Sequence, residues 1–406
     1  MRLISIPSEK YDEYKLDVIF NGYKWDLQFG DRNTVAKHVL IIENSEFIQL
    51  KKLTEQLASE TISAERAMLN NIKLAKPLAL SKQMTKALKN IKNYLSDNHV
   101  RLMRFDFHPL ENSAWAISEV NSDVPGGFAE SSVLPQIAKK TLVENHDFVD
   151  FSQILIDSII SKVPKKATIA FVHCTSYSDD RQVMQFLGDR LITLGYRILY
   201  AAVNHFSFKD NRAVCNLFGN ECEVDFIFRF TPLEWMIDGK RKKWQEFFNI
   251  LTPSCNHPMA ILAQTKNLPL AFDNLEREGI NLSCWRALLP ETISAKQAIK
   301  NKKDGFIFKP VFGRVGEGIG IKEACGMAEY SKIIKDAKKY SKDYIAQKMF
   351  NSPPITSPEG EKFFVCIGAY SVDNKFAGFY ARINTAPRID SNSADIAVLV
   401  EGGGIE

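Results

Sequence analysis

The chain has 406 residues, 45% of them hydrophobic and 25% charged, with a formal net charge of +4. That length accommodates two or three domains with proper cores, and that balance excludes an intrinsically disordered chain. The basic clusters are short, as in Lys240-Arg241-Lys242-Lys243 and Lys338-Lys339, so they read as solvated faces and no nucleic-acid partner is expected.

In chain order, residues 1–45 predict short strands at Asp17–Phe20 and Val39–Ile42. Helical spacing follows from Glu46 to about Leu74, through Phe47, Leu50, Leu53 and Leu57, and again at Met84, Leu88, Ile91 and Leu95. Val100–Phe107 alternates as a strand, with Ala114–Asn121 as its hairpin mate. Period two then puts Arg104 with Asp106 on one face, and Glu119 with Asn121 on one face of the mate. Hard cations take oxygen ligands, so Asp106, Glu119 and Asn121 make a candidate magnesium set. A solvated face carrying an ordinary charge pair is the competing reading.

Ser122–Gly127 predicts a turn and Phe128–Thr141 a helix. Beyond Pro164, strands at Ala167–His173, Tyr196–Val203 and Val224–Phe230, with a helix at Ser178–Leu194, give a βαβ signal and a largely parallel sheet. Asp179 and Asp180 follow the first of these strands, where ligands approach such sheets, although acids are also favoured as helix caps. Helical segments are expected from Thr231 through Phe248, at His257–Leu268, Ala271–Gly279, Ser294–Lys300 and Met327–Tyr340.

Gly305–Ile321 is the most informative stretch. It reads as strand, glycine-rich loop, strand, with Lys309 inside the first apolar run. A buried Lys needs a negative partner, and phosphate is the obvious one. Gly313, Gly316 and Gly318 would let backbone N–H groups approach phosphate oxygens. The pattern is neither a Walker A loop nor a kinase glycine loop, and a plain glycine-rich hairpin remains open. Tyr344–Phe350 reads as a strand, Lys362–Val372 and Lys375–Ile383 as a hairpin around Asp373-Asn374, and Glu401–Glu406 as a frayed end.

The seven cysteines are scattered without a Cys-x-x-Cys pair, and the seven histidines form no His-Glu-x-x-His, so neither a disulfide frame nor a zinc site is expected. The longest apolar run, near Ile154–Ile160, carries Asp157 and is too short to span a bilayer. A soluble cytoplasmic protein with no membrane partner is expected; oligomeric state has no signature here.

Six landmarks resemble, in order, the synthetase part of glutathionylspermidine synthase, a circularly permuted ATP-grasp ligase. They are Arg104–Phe107, Glu119–Pro125 with Glu130, Pro232–Trp235, Phe308–Gly316, Tyr344–Gln347 and Ala377–Arg382. The resemblance covers about residues 95–400. In common ATP-grasp enzymes the Glu-x-Asn motif follows the phosphate loop, whereas here it precedes it.

The resemblance implies an α/β (α+β) fold with a nucleotide site between mixed sheets. Its parts would be residues 1–150 with the metal hairpin, an inserted pre-ATP-grasp-like unit at 151–290, and 291–406 with the phosphate flap. It implies ATP and two magnesium ions as cofactors, with Asp106, Glu119 and Asn121 holding metal. Lys309 and the glycine loop would meet phosphate, and Gln347, Lys348 and Met349 the adenine. Arg104 and Arg382 would be catalytic, and Asp179 and Asp180 would face an amine such as the polyamine that the family recognises. The reaction implied joins a small-molecule or peptide carboxylate to an amine through an acyl phosphate.

Two departures bear on substrate. Residues before 95 carry no Cys–His pair, so amidase activity is not expected, and Gly126-Gly127 replace hydroxyl residues that the family uses to hold glutathione. The alternatives are a catalytically silent ATP-grasp relative acting as a binding or regulatory protein, a kinase-like phosphotransferase lacking the His-Arg-Asp and Asp-Phe-Gly motifs, and a basic nucleic-acid binder.

Overall fold

Along Val35–Ile42 successive side chains point to opposite sides, as a strand's period of two requires. Leu40 and Ile42 pack into one apolar cluster, while Val39 and Ile41 pack into another. Both faces of this sheet are therefore covered by core. A computed structural model describes the chain except residues 26, 30–31, 93, 143–144, 239–243, 302–303, 315, 317, 322–323 and 403–406. The main sheet runs Arg2–Ser5, Val35–Ile42, Ala394–Glu401, Lys375–Asn384, Lys362–Val372, Leu102–Pro109, Trp115–Asn121. Neighbours are antiparallel throughout except Val35–Ile42 with Ala394–Glu401, which pair in parallel.

The 27-residue helix Asn44–Asn70 buries Phe47, Leu50, Leu57 and Met68 in the cluster on one face. Its start is fixed by a capping box between Glu43 and Glu46, which satisfies backbone N–H groups the helix cannot. Helices Phe128–Thr141 and Phe151–Ile160 fill the cluster on the other face, where Phe151 stacks on Tyr370 at 4.0 Å between ring centroids.

A second sheet is parallel throughout, in the order Ser254–Cys255, Phe226–Arg229, Thr168–Val172, Arg197–Ala201. It contains the expected βαβ unit, with helix Ser178–Thr193 as crossover. A third, antiparallel sheet places Tyr344–Lys348 between Thr292–Ser294 and Phe306–Pro310. The hairpin Lys362–Val372/Lys375–Asn384 forms as read, and positive φ at Asp373 and Asn374 gives the turn the twist that suits two strands.

Several expectations need correction. Asp17–Phe20 is not a strand but the last part of helix Ser8–Phe20, because Tyr14 and Val18, four apart, bury one side of a turn. His257–Leu268 is no continuous helix: it contains a 3₁₀ turn, Pro258–Ala260, and a short helix, Ile261–Gln264. The helix at Met84 stops at Lys89. Among the described residues no second strand follows the glycine loop, and Gly320 forms a bridge to Phe308. Of the expected frayed end, residues 403–406 lie outside the described residues, while Glu401 closes the strand from Ala394.

Residues 206–223 also form an unanticipated three-stranded antiparallel sheet. All seven cysteines are free thiols. Among the described residues no helix is long and apolar enough to cross a membrane.

Candidate active site

In the hairpin Leu102–Pro109/Trp115–Asn121, Phe105 and Phe107 go fully into the core, which turns Arg104 and Asp106 the other way. Arg104 grips Asp106 in two bonds, Nε to Oδ1 at 2.7 Å and Nη2 to Oδ2 at 3.1 Å. Its remaining Nη1 donates to the Gly126 carbonyl at 2.9 Å, and its guanidinium sits 4.9 Å from the Tyr380 ring centroid. Asn121 Nδ2 donates to Asp106 Oδ2 at 3.0 Å and to Glu119 Oε1 at 3.3 Å.

Two carboxylates and an amide therefore converge on one spot. Turning the Asn121 amide over would exchange its donor for an oxygen acceptor, giving three hard donors of the kind magnesium takes. Among the described residues no group of three or more His, Cys, Asp or Glu could hold a metal. Three oxygens are fewer than magnesium's octahedral shell takes, so an ion held here would draw its other ligands from beyond these side chains.

Lys309 lies on Phe306–Pro310 and is 3% exposed. Its Nζ donates to Gln347 Oε1 at 2.6 Å and to the Ser118 carbonyl at 3.3 Å. Burial pushes its pKa down to about 8 against the opposing pull of Glu119. Gln347 passes the contact on, donating to Thr292 Oγ1 at 3.2 Å. Burial alone would lift Glu119, but Lys266 and Lys309 outweigh it and hold this carboxyl at about 2.

Lys266 was missed by sequence reasoning. Its Nζ sits 2.9 Å from Glu119 Oε2 and donates to the Gly313 carbonyl at 2.7 Å, tying the carboxylate set to the glycine loop. Its sequence mark is weaker than that of Lys309: the apolar run Pro258–Ala263 ends before it, and Gln264 and Thr265 intervene. The same loop is tethered on its outer side by Arg314, whose Nη2 lies 2.6 Å from Glu234 Oε1. Gly316 and Gly318 have φ of +69° and +67°, the left-handed conformation the loop was expected to need.

These groups line one cleft, a cavity of about 580 Å³. Arg104, Asp106, Glu119 and Asn121 reach it from the first third of the chain, and Lys309, Gly316, Met349 and Arg382 from the last. Asp179 also lines it. Gln347 instead lines a small adjacent cavity together with Glu119 and Lys266. Lys348 is exposed at the strand end, and Gly313, Gly318, Lys348 and Asp180 are not among the lining residues.

Asp179 and Asp180 sit in the first turn of their helix without capping it, since Tyr177 holds that position. Burial pushes Asp180 up to about 6, and Asp179 adds to the rise. Arg382 is held by the carbonyls of Asp390 and Ser393, and its Nε lies 3.7 Å from Asp395 Oδ1.

At Gly127, though not at Gly126, the departure has a steric cause. Gly127 has φ +95°, and a Cβ there would meet the Tyr380 ring at 2.8 Å and the Tyr370 hydroxyl at 2.9 Å. At Gly126 a Cβ would meet only Phe230, at an ordinary 3.8 Å. Gly127→Ala is therefore expected to lower unfolding free energy by about 2 kcal/mol in urea titration, and Gly126→Ser to leave it nearly unchanged. Equal midpoints for the two variants would contradict this account.

A family model described as glutathionylspermidine synthase pre-ATP-grasp matches residues 6–400. The chain belongs to that family. A solved glutathione synthetase-like effector from Globodera pallida, in its apo form, superposes with a TM-score of 0.65 at 11% identity, covering 97% of this chain and 99% of that one. The two share a fold, which for this member of the glutathionylspermidine synthase family is mixed α/β of the ATP-grasp synthetase type. A protein assigned as a gamma-glutamylcysteine synthetase from Methylobacillus flagellatus aligns with a TM-score of 0.44 at 13% identity, over 83% of this chain and 86% of that one. No curated protein matches the sequence.

Proposed function

We propose that the chain is an ATP-dependent carboxylate–amine ligase working through an acyl phosphate. Family membership supports a synthetase-type ligase. The observation that carries the finer reading is the single cleft in which Asp106, Glu119 and Asn121 face Lys309 and the glycine loop. Asp106, Glu119 and Asn121 would hold magnesium, which would supply positive charge to neutralise nucleotide phosphates.

In this reading a carboxylate oxygen of the acid substrate attacks the γ-phosphorus of ATP, and ADP leaves. The amine nitrogen then attacks the acyl carbon, the C–O bond to phosphate breaks, and the amine gives up a proton to solvent. Lys309 and the Gly316 N–H, both in the cleft lining, would stabilise the transferring phosphoryl charge. Arg104 and Arg382 would face the acyl phosphate and the tetrahedral oxyanion, and Met349 the adenine. Lys266 would hold Glu119 and the loop base in register. The acid and the amine are small molecules, and Asp179 in the cleft lining would face the amine.

The test is ADP release over a panel of acids and amines, alongside calorimetric binding of a non-hydrolysable ATP analogue with magnesium. Analogue binding with no ADP release from any pair would leave a silent relative instead.

A pH dependence follows. Lys309 has a folded pKa of about 8, below its ordinary value, so it is charged and ready for phosphate below pH 8 and neutral above it. Nucleotide affinity is therefore expected to fall by on the order of tenfold between pH 7 and pH 9.5, as the proton must be regained on binding. An affinity that stays flat across that interval counts against phosphate contact by Lys309.

A further inference from the structure

One end of the cleft is closed by a side chain that none of the landmarks includes. Lys24 reaches in from the segment after helix Ser8–Phe20, and its Nζ sits 2.7 Å from Glu130 Oε1 and 2.7 Å from Asp395 Oδ2. All three side chains are largely buried, at 13%, 15% and 10% exposure, and all line the cavity. Behind them the Tyr380 hydroxyl donates to Asp395 Oδ1 at 2.7 Å, and Glu130 Oε2 is buried without a hydrogen-bond partner. This is a cradle for a cation with two carboxylate walls, and the chain supplies the cation itself.

The backbone segment that carries Lys24 is also anchored. The Tyr23 hydroxyl donates to Asp189 at 2.7 Å, the Trp25 amide donates to Gln182 Oε1 at 3.0 Å, and the Lys24 amide donates to the Val18 carbonyl at 3.3 Å. Burial works against the Lys24 charge, but Asp395 and Glu130 outweigh it and raise its pKa. Expelling it would strand two buried carboxylates, which is strongly unfavourable. With Lys24 seated, Lys24 and Arg382 balance Glu130 and Asp395, and six cationic side chains line the cleft against five anionic ones. A substrate bringing another positive charge between Glu130 and Asp395 finds that position already held by the Lys24 ammonium.

We propose that Lys24 is a specificity-determining residue: its tethered ammonium fills the position between Glu130 and Asp395, so the amine accepted there carries no second positive charge. This rests on the ligase reading above and departs from the polyamine that the family resemblance implies. The substrate class is then a monoamine or an amino acid rather than a diamine.

The test uses 1,4-diaminobutane as probe, titrated calorimetrically into the full chain with magnesium and a non-hydrolysable ATP analogue present. Lys24→Ala is expected to bind the diamine about tenfold or more tightly than the wild type, equivalent to about 1.4 kcal/mol. Lys24→Ala/Glu130→Gln is expected to lose that gain. Lys24→Met keeps the stem without the charge and answers the question should the alanine variant not fold. Equal diamine affinity in wild type and both Lys24 variants overturns the proposal, as does tight diamine binding by the wild type. Binding of the analogue is read separately, so failure of the ligase reading shows as no nucleotide uptake, whatever the diamine does.

Discussion

Replacing Lys309 by methionine is expected to cut ATP-dependent turnover by on the order of 100-fold or more, the usual consequence of removing one preorganised donor from a developing anion. Methionine keeps the apolar stem that fills the space beneath Ser118 and Gln347 but removes the ammonium. The fold should survive. Lys309 is buried with its pKa driven down, so its charge costs the empty protein stability rather than supplying it. Unfolded chain binds more protons than folded chain between about pH 8 and the ordinary lysine value, so wild-type stability rises with pH across that window. The methionine variant should lack the rise. A variant that melts like the wild type and turns over at the same rate would remove Lys309 from the site.

The second large effect concerns stability. Asp123→Asn is expected to lower unfolding free energy by about 3–5 kcal/mol, because it leaves the Arg229 guanidinium buried without its counter-charge. Both side chains are essentially inaccessible, 0% and 1% exposed. Asp123 also accepts the Leu233 amide at 3.0 Å, fixing the start of the short helix that carries Glu234. Glu234 in turn holds Arg314 of the glycine loop. Arg229→Met added to Asp123→Asn should restore much of the loss, since removing both charges avoids the unpaired one. Chemical denaturation of the two variants measures this; a double variant weaker than the single would sink the explanation.

Acid should act on the same pair. Burial opposes the charge on Asp123, but Arg229 outweighs it and depresses its pKa, so its stabilisation is complete above the ordinary carboxylate range and disappears as pH falls through the folded value.

What could be read from the sequence was local. The helix Phe128–Thr141 and the hairpin around Asp373-Asn374 announce themselves through spacing and turn residues that lie side by side. The grouping of Arg104, Asp106, Glu119 and Asn121 followed from period two in two strands joined by a short turn. Partnerships across long stretches had no such mark. Nothing near Glu119 indicates that Lys266 will balance it, and nothing near Glu130 points to Lys24.

The sheet at 206–223 was missed because its strands are only four to six residues long, and its turns use Asp210-Asn211 and Phe218-Gly219, of which only the second has a glycine. The broken helix near Pro258 was misread because Pro258–Gln264 is buried on every side, leaving no polar face to reveal its period.

The main sheet joins Leu102–Pro109 directly to Lys362–Val372, and Val35–Ile42 to Ala394–Glu401. On the ribosome, then, the early strands must wait for partners translated more than two hundred positions later. One hydrogen-bonding edge of each therefore stays open through most of synthesis, the kind of long-range pairing that slows folding.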